Sequence, residues 1–168
     1  MGARTRHAAV SAFVDSLQRS VSCVTPSILY HSHETGARQA LTLADDPVRL
    51  TSTRGSREAL QLSVIHQYEA VRQDRTWRIS SRAYYYRVDG PDGVERLSWH
   101  WHPAATFKRP HLHVAALNRR RHLPTGRVSL EAVLRLLLAE FDVRPQRPDW
   151  DAVLAAGEEA FERSRTWS

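Results

Sequence analysis

The sequence predicts an α+β fold: an antiparallel β-meander of about five to seven strands, with an N-terminal helix and two C-terminal helices packed on one face. Three observations carry this. Leu60, Leu62, Val64, His66 and Tyr68 alternate with mostly polar neighbours, the period of a half-buried strand. Asp89-Gly90-Pro91-Asp92-Gly93 is a dense turn signal between two strand-like runs, Arg75 to Val88 and Val94 to His102, which makes them antiparallel partners. Leu130, Val133, Leu134, Leu137, Leu138 and Phe141 form one broad apolar helical face, with Ser129 placed as N-cap and Pro145 closing the helix.

The remaining elements follow in order. Val10, Phe13, Val14, Leu17 and Val21 mark an amphipathic helix over Thr5 to Ser20, which Pro26 prevents from continuing. Ile28 to Tyr30, Ala40 to Leu43 and Val48 to Thr51 read as brief strands between turn residues. His111 to Leu117 reads as a further strand. The eight residues from Pro103 to Pro110 are too few for a crossover helix, so it pairs antiparallel with Val94 to His102. Trp150, Val153, Leu154 and Phe161 give a last helix, although Gly157 on that face costs about 1 kcal/mol against alanine. At 168 residues, a single domain over 1–168 is the expectation.

Cys23 is the only cysteine, which excludes an internal disulfide and any metal site built on several thiolates. A metal would have to be held by histidines and carboxylates. No apolar run approaches the roughly 18 to 20 residues that span a bilayer, so no membrane association is expected and the cytoplasm is the simplest location. The net charge of +6 points to a polyanionic partner, RNA or another phosphate-bearing chain, because basic side chains replace condensed counterions. Of 24 basic residues only Lys108 is lysine, however, and an arginine-heavy composition also arises without any such partner.

Histidines carry the distinctive chemistry. Strand periodicity sends Trp99 and Trp101 to one face and His100 and His102 to the other; it likewise separates Leu112 and Val114 from His111 and His113. A symmetric connection centred between Thr106 and Phe107 would set His102 opposite His111 and His100 opposite His113, with cross-strand Cβ separations of about 4.5 to 5.5 Å. Imidazolium ions so close repel, which favours neutral rings, the state of a general base or a metal ligand. On the preceding strand, burying Trp77, Ile79, Ala83 and Tyr85 would turn Arg78, Arg82, Tyr84 and Tyr86 toward the histidines, giving Arg82 as phosphate clamp and Tyr84 as proton donor; a one-residue slip reverses the set. Arg119, Arg120 and Arg121, with His122, Arg127 and Lys108, would attract phosphates. His31 and His33, with Glu34 beside them, form a third pair that would either complete a metal site or lie in a surface turn, and His66 falls in the apolar row of its strand as a hydrogen-bonded core histidine.

Walker-type glycine loops and a Gly-x-Ser-x-Gly elbow are absent. Trp101-His102-Pro103, Pro110-His111-Leu112-His113, Leu123-Pro124-Thr125-Gly126-Arg127-Val128-Ser129-Leu130-Glu131 and Pro148-Asp149-Trp150 together resemble small bacterial proteins grouped with the TumE-type toxins of toxin-antitoxin modules. The resemblance covers roughly residues 84–150; the longer N-terminal part departs from the short form of that family. It implies an α+β toxin-like domain acting on RNA and paired with an antitoxin, and carries no catalytic residues across.

Three functions are consistent with these residues. The first is a histidine-dependent ribonuclease or phosphodiesterase in which His102 or His111 takes a 2′-hydroxyl proton and His100 or His113 protonates the leaving oxygen, with arginines on the phosphate. The second keeps His100, His102, His111 and His113 as ligands of a divalent metal such as zinc. The third is a non-catalytic nucleic-acid-binding module. A homodimer through the leucine-rich helix remains open.

Overall fold

The computed structural model describes residues 3–31, 38–55, 59–118 and 121–164. Helix α1 spans Arg6–Val21 and opens on Thr5, whose hydroxyl accepts the Ala8 N–H at 3.1 Å and so satisfies one of the orphan donors of the first turn. Strands β1 (Leu29–His31), β2 (Arg38–Leu43) and β3 (Val48–Arg49) precede the long β4 (Gln61–Gln73) and β5 (Thr76–Asp89). Strands β6 (Glu95–Trp101), β7 (His111–Val114) and β8 (Leu123–Pro124) follow, then helices α2 (Leu130–Glu140) and α3 (Trp150–Ser164).

The strands form one antiparallel eight-stranded sheet in the order β1-β2-β4-β5-β6-β7-β8, with β3 paired to β4. The expected α+β architecture is therefore the observed one, with two differences. β7 stops at Val114, where Ala115–Leu117 turn into a 3-10 helix, and the two-residue β8 extends the sheet beyond β7.

Alternation along the strands puts apolar side chains under the helices. Leu62, Val64, Tyr68, Tyr84, Tyr86, Val88, Trp99 and Trp101 are buried there together with Leu17 and Val21 of α1, Leu130, Leu134 and Leu137 of α2 and Leu154 of α3. Each fully buried leucine contributes roughly 1.5 to 3 kcal/mol relative to exposure. Ser129 caps α2 by accepting the Ala132 N–H at 3.1 Å. α3 runs through Gly157 because a Cβ there would lie 2.6 Å from Cγ of Glu131, so the glycine permits the close approach of α2 and α3. Among the described residues no helix is long and apolar enough to cross a membrane.

A β-bulge decides which side chains of β5 reach each face. Gln67 pairs with Ala83 and Tyr68 with Ser81, so Arg82 is an extra residue and the alternation changes phase there. Before the bulge the odd positions Trp77 and Ile79 turn toward the helices. After it the even positions Tyr84 and Tyr86 do.

Candidate metal centre

On the open face of the sheet, β6 presents Ser98 and His100 while Trp99 and Trp101 are buried behind them. β7 presents His111 and His113, and the register pairs His100 with His111 and Ser98 with His113. This differs by two residues from the symmetric arrangement expected from sequence. A two-residue slip keeps every side chain on its face, so periodicity alone cannot detect it. Its effect is to leave His102 beyond the end of β6, exposed, with its carbonyl accepting the Ala105 N–H at 3.0 Å.

His122 takes the place expected for His102. It precedes β8, and the pairing of that strand with β7 brings its ring to 4.7 Å from both His111 and His113. Phe107, from the connection before β7, lies against His111 at 4.8 Å and stacks on His122 at 4.7 Å. His100 stands 5.2 Å from His111 and 4.8 Å from His113, with the Tyr85 ring edge-on at 4.5 Å. One ring nitrogen each from His100, His111 and His113 lies within 4.8 Å of the other two, and among the described residues no other group of three or more His, Cys, Asp or Glu side chains gathers in this way.

Two hydrogen bonds set the tautomers. His111 Nδ1 lies 2.8 Å from the Arg109 carbonyl, which can only accept, so Nδ1 carries the proton and Nε2 keeps its lone pair. The Ser98 hydroxyl donates to Glu95 Oε1 at 2.9 Å, so its oxygen accepts from His100 Nε2, also at 2.9 Å. Nδ1 of His100 therefore has the free lone pair. Ser98 is fully buried.

Electrostatics keep these rings neutral. Burial, and then the neighbouring His113, His111 and His122, push the His100 pKa down to about 4. Burial also lowers that of His111, helped by His113 and His122 and opposed by the Arg109 carbonyl.

Other residues singled out from sequence lie elsewhere. Tyr84 belongs to the core rather than to the histidine side: it is stacked on Tyr86 at 4.9 Å, and its hydroxyl accepts the Val128 N–H at 3.0 Å. The bulge at Arg82 is the cause, and it turns Tyr85 to the open face instead. Arg82 is held by Glu69, with Nη2 2.7 Å from Oε2, and does not form the expected clamp over the imidazoles. Lys108 and Arg121 are exposed on the segments flanking the site, while Arg119 and Arg120 lie outside the described residues. His31 ends β1, 6.0 Å from the Tyr68 ring, and His33 also lies outside the described residues. His66 is the buried core histidine expected, bound to the Tyr86 hydroxyl at 2.7 Å and to Ser81 at 2.9 Å.

Residues that the sequence reading missed complete the site. Ser98 and Glu95 gave no signal because they are ordinary polar residues of a strand. His122 was visible only as part of a basic run, since a two-residue strand leaves no periodicity to read.

Comparison with protein-family models, with curated proteins and with solved structures finds no match.

Proposed function

We propose that the protein binds a divalent transition metal, zinc being the best fit, through His100, His111 and His113. The observation that carries this reading is the set of three imidazole nitrogens within 4.8 Å of one another, two of the rings having one nitrogen committed to a hydrogen bond and the second left with its lone pair. Metal-ligating histidines characteristically donate their second N–H to a carbonyl or to a group leading to a carboxylate, and both patterns are present here. Tetrahedral zinc with Zn–N near 2.05 Å needs ligand nitrogens about 3.3 Å apart, so closing on the ion requires side-chain movements of about 1.5 Å or less. All-nitrogen ligation favours zinc, copper or nickel over calcium or magnesium.

Imidazole ligands are uncharged, so the ion would keep its full charge, and the exposed His122 ring stands beside two of the three ligands. Zinc in such a setting supplies Lewis acidity and an activated water. The acid–base phosphodiesterase reading uses the same imidazoles, but Arg82 is engaged by Glu69 and Arg127 lies over the Trp101 ring at 3.9 Å. The geometry therefore favours the metal.

The test is metal analysis and competitive zinc titration of protein purified without a polyhistidine tag. One ion per chain is expected, lost in His100→Ala and in His113→Ala with the circular dichroism spectrum retained. Full stoichiometry in either variant, or a wild type that takes up no zinc, copper or nickel, overturns the reading. Metal-free protein that cleaves RNA in a His111-dependent manner would replace it with acid–base catalysis.

A further inference from the structure

Among the described residues, the last rungs of β4 and β5 run past the neighbouring strands of the sheet as a two-stranded ribbon. Among the described residues, β2 pairs along β4 as far as Arg38 opposite Glu69, and β6 along β5 as far as Trp101 opposite Tyr84. Beyond these points β4 and β5 continue together through Ala70–Ile79, Val71–Arg78, Arg72–Trp77 and Gln73–Thr76, and the Asp74-Arg75 turn closes them with both residues at positive φ. Four residues of β4 beyond Glu69 extend about 13 Å. Among the described residues, the one further backbone partner there is Ala3, which exchanges hydrogen bonds with Trp77 at 2.9 and 2.8 Å.

That bridge brings the N-terminal segment to the base of the ribbon and concentrates charge. Residues 3–7 and 70–79 hold Arg4, Arg6, Arg72, Arg75 and Arg78 against a single carboxylate, Asp74, a net +4 of the chain's +6. All five arginines are exposed, and none has an ion pair among the described residues. Seven arginines elsewhere are held by carboxylates: Arg38, Arg54, Arg82, Arg87, Arg96, Arg135 and Arg147. Within the patch, five guanidinium groups thus face one carboxylate, and their mutual repulsion is left largely uncompensated. Arg72 and Arg78 sit on opposite faces of the ribbon and Arg75 at its tip, so a partner must offer negative charge on both sides of a narrow projection.

We propose that this ribbon is a binding arm for double-stranded DNA, entering the major groove with its arginines on the phosphates of the two flanking strands. Two strands about 4.8 Å apart with their side chains match a groove about 12 Å wide, whereas the major groove of A-form RNA is too narrow to admit them. Guanidinium groups suit phosphate because their planar fork makes paired, charge-assisted hydrogen bonds. The site is separate from the histidine cluster and stands independently of the metal reading.

The test is fluorescence anisotropy of the full chain on a labelled 20-base-pair DNA duplex, titrated from 50 to 200 mM salt. Five phosphate contacts give a slope of log K against log salt near −4.5, or about a 500-fold loss of affinity over that range. The variant Arg72→Gln/Arg75→Gln/Arg78→Gln should keep two contacts, a slope near −1.8 and about a 12-fold loss. The control Arg19→Gln/Arg109→Gln/Arg144→Gln, with the same change in net charge, should keep the slope of the wild type. Equal slopes in wild type and ribbon variant overturn the proposal. So does RNA duplex bound as tightly as DNA, or displacement of DNA by polyglutamate at equal charge concentration, which would assign the arm to RNA or to an acidic protein.

Discussion

Removal of one hydroxyl, in Ser98→Ala, should weaken zinc binding by 10- to 100-fold, although Ser98 is not a ligand. Ser98 stands between Glu95 and His100, with 2.9 Å bonds on each side, and is wholly buried. Because the hydroxyl proton is given to the carboxylate, the serine oxygen holds His100 as the Nε2–H tautomer with Nδ1 ready for the metal. Without it the imidazole proton is free to occupy Nδ1, and the ring loses the partner that fixes its rotation. Loss of such outer partners costs about 10- to 100-fold in metal affinity, equivalent to about 1.4 to 2.7 kcal/mol. Competitive zinc titration measures the affinity, and ¹⁵N NMR of the metal-free protein reports the tautomer. Glu95→Gln should have a smaller effect, since an amide oxygen can still accept from Ser98, and adding it to Ser98→Ala should cause little further loss because both act through one chain. Arg87 keeps Asp89 at 2.6 Å in either variant, which limits collateral damage. Wild-type zinc affinity together with an unchanged His100 tautomer in Ser98→Ala would refute this reasoning.

Acid stability should depend on His66. Burial holds its pKa at about 4 against an ordinary 6.5, so the unfolded chain takes the proton first: stability is level above pH 6.5 and falls as pH drops toward 4, by about 3 kcal/mol. Urea denaturation at pH 7 and pH 4 should show that loss in the wild type and a markedly smaller one in His66→Gln; parallel pH profiles would assign the acid sensitivity elsewhere. Gly157→Ala should lower the thermal midpoint despite alanine's better helix propensity, because its methyl group would meet Cγ and Oε1 of the buried Glu131 at 2.6 and 2.8 Å. A rise in the midpoint on calorimetry would show that α2 and α3 separate easily.

What could be read from the sequence followed from period and turn chemistry. The Asp89 to Gly93 turn and the alternation from Leu60 to Tyr68 fixed the β5–β6 hairpin and the buried face of β4, and both stand in the structure. The turn between β4 and β5 was invisible because Asp74 and Arg75 adopt positive φ without the glycine that normally advertises it. The phase of β5 was misjudged over Ala83 to Tyr86 because burial of Trp77 and Ile79 sets parity only as far as the Arg82 bulge. Period-two reasoning carries a phase forward until an extra residue intervenes, and no side chain at position 82 announces one. The same limit explains the histidines: their face was legible, but which pairs meet depends on a two-residue slip to which alternation is blind.

The candidate metal site and the arginine ribbon both border β5, whose Tyr85 packs on His100, and this makes their independence measurable. Arg78 and Tyr85 both turn to the open face, since the bulge between them exchanges odd for even positions, and roughly 20 Å of extended chain separates them. At that distance charges exposed to solvent are screened beyond the Debye length of about 8 Å at physiological salt. The ribbon variant should therefore bind zinc with the affinity of the wild type, and His100→Ala should keep the wild-type salt slope on DNA. If zinc instead tightened DNA binding, a duplex lying along the open face would have to touch both sites at once, because neither electrostatics through solvent nor the paired strands between them offers another route for so local a change.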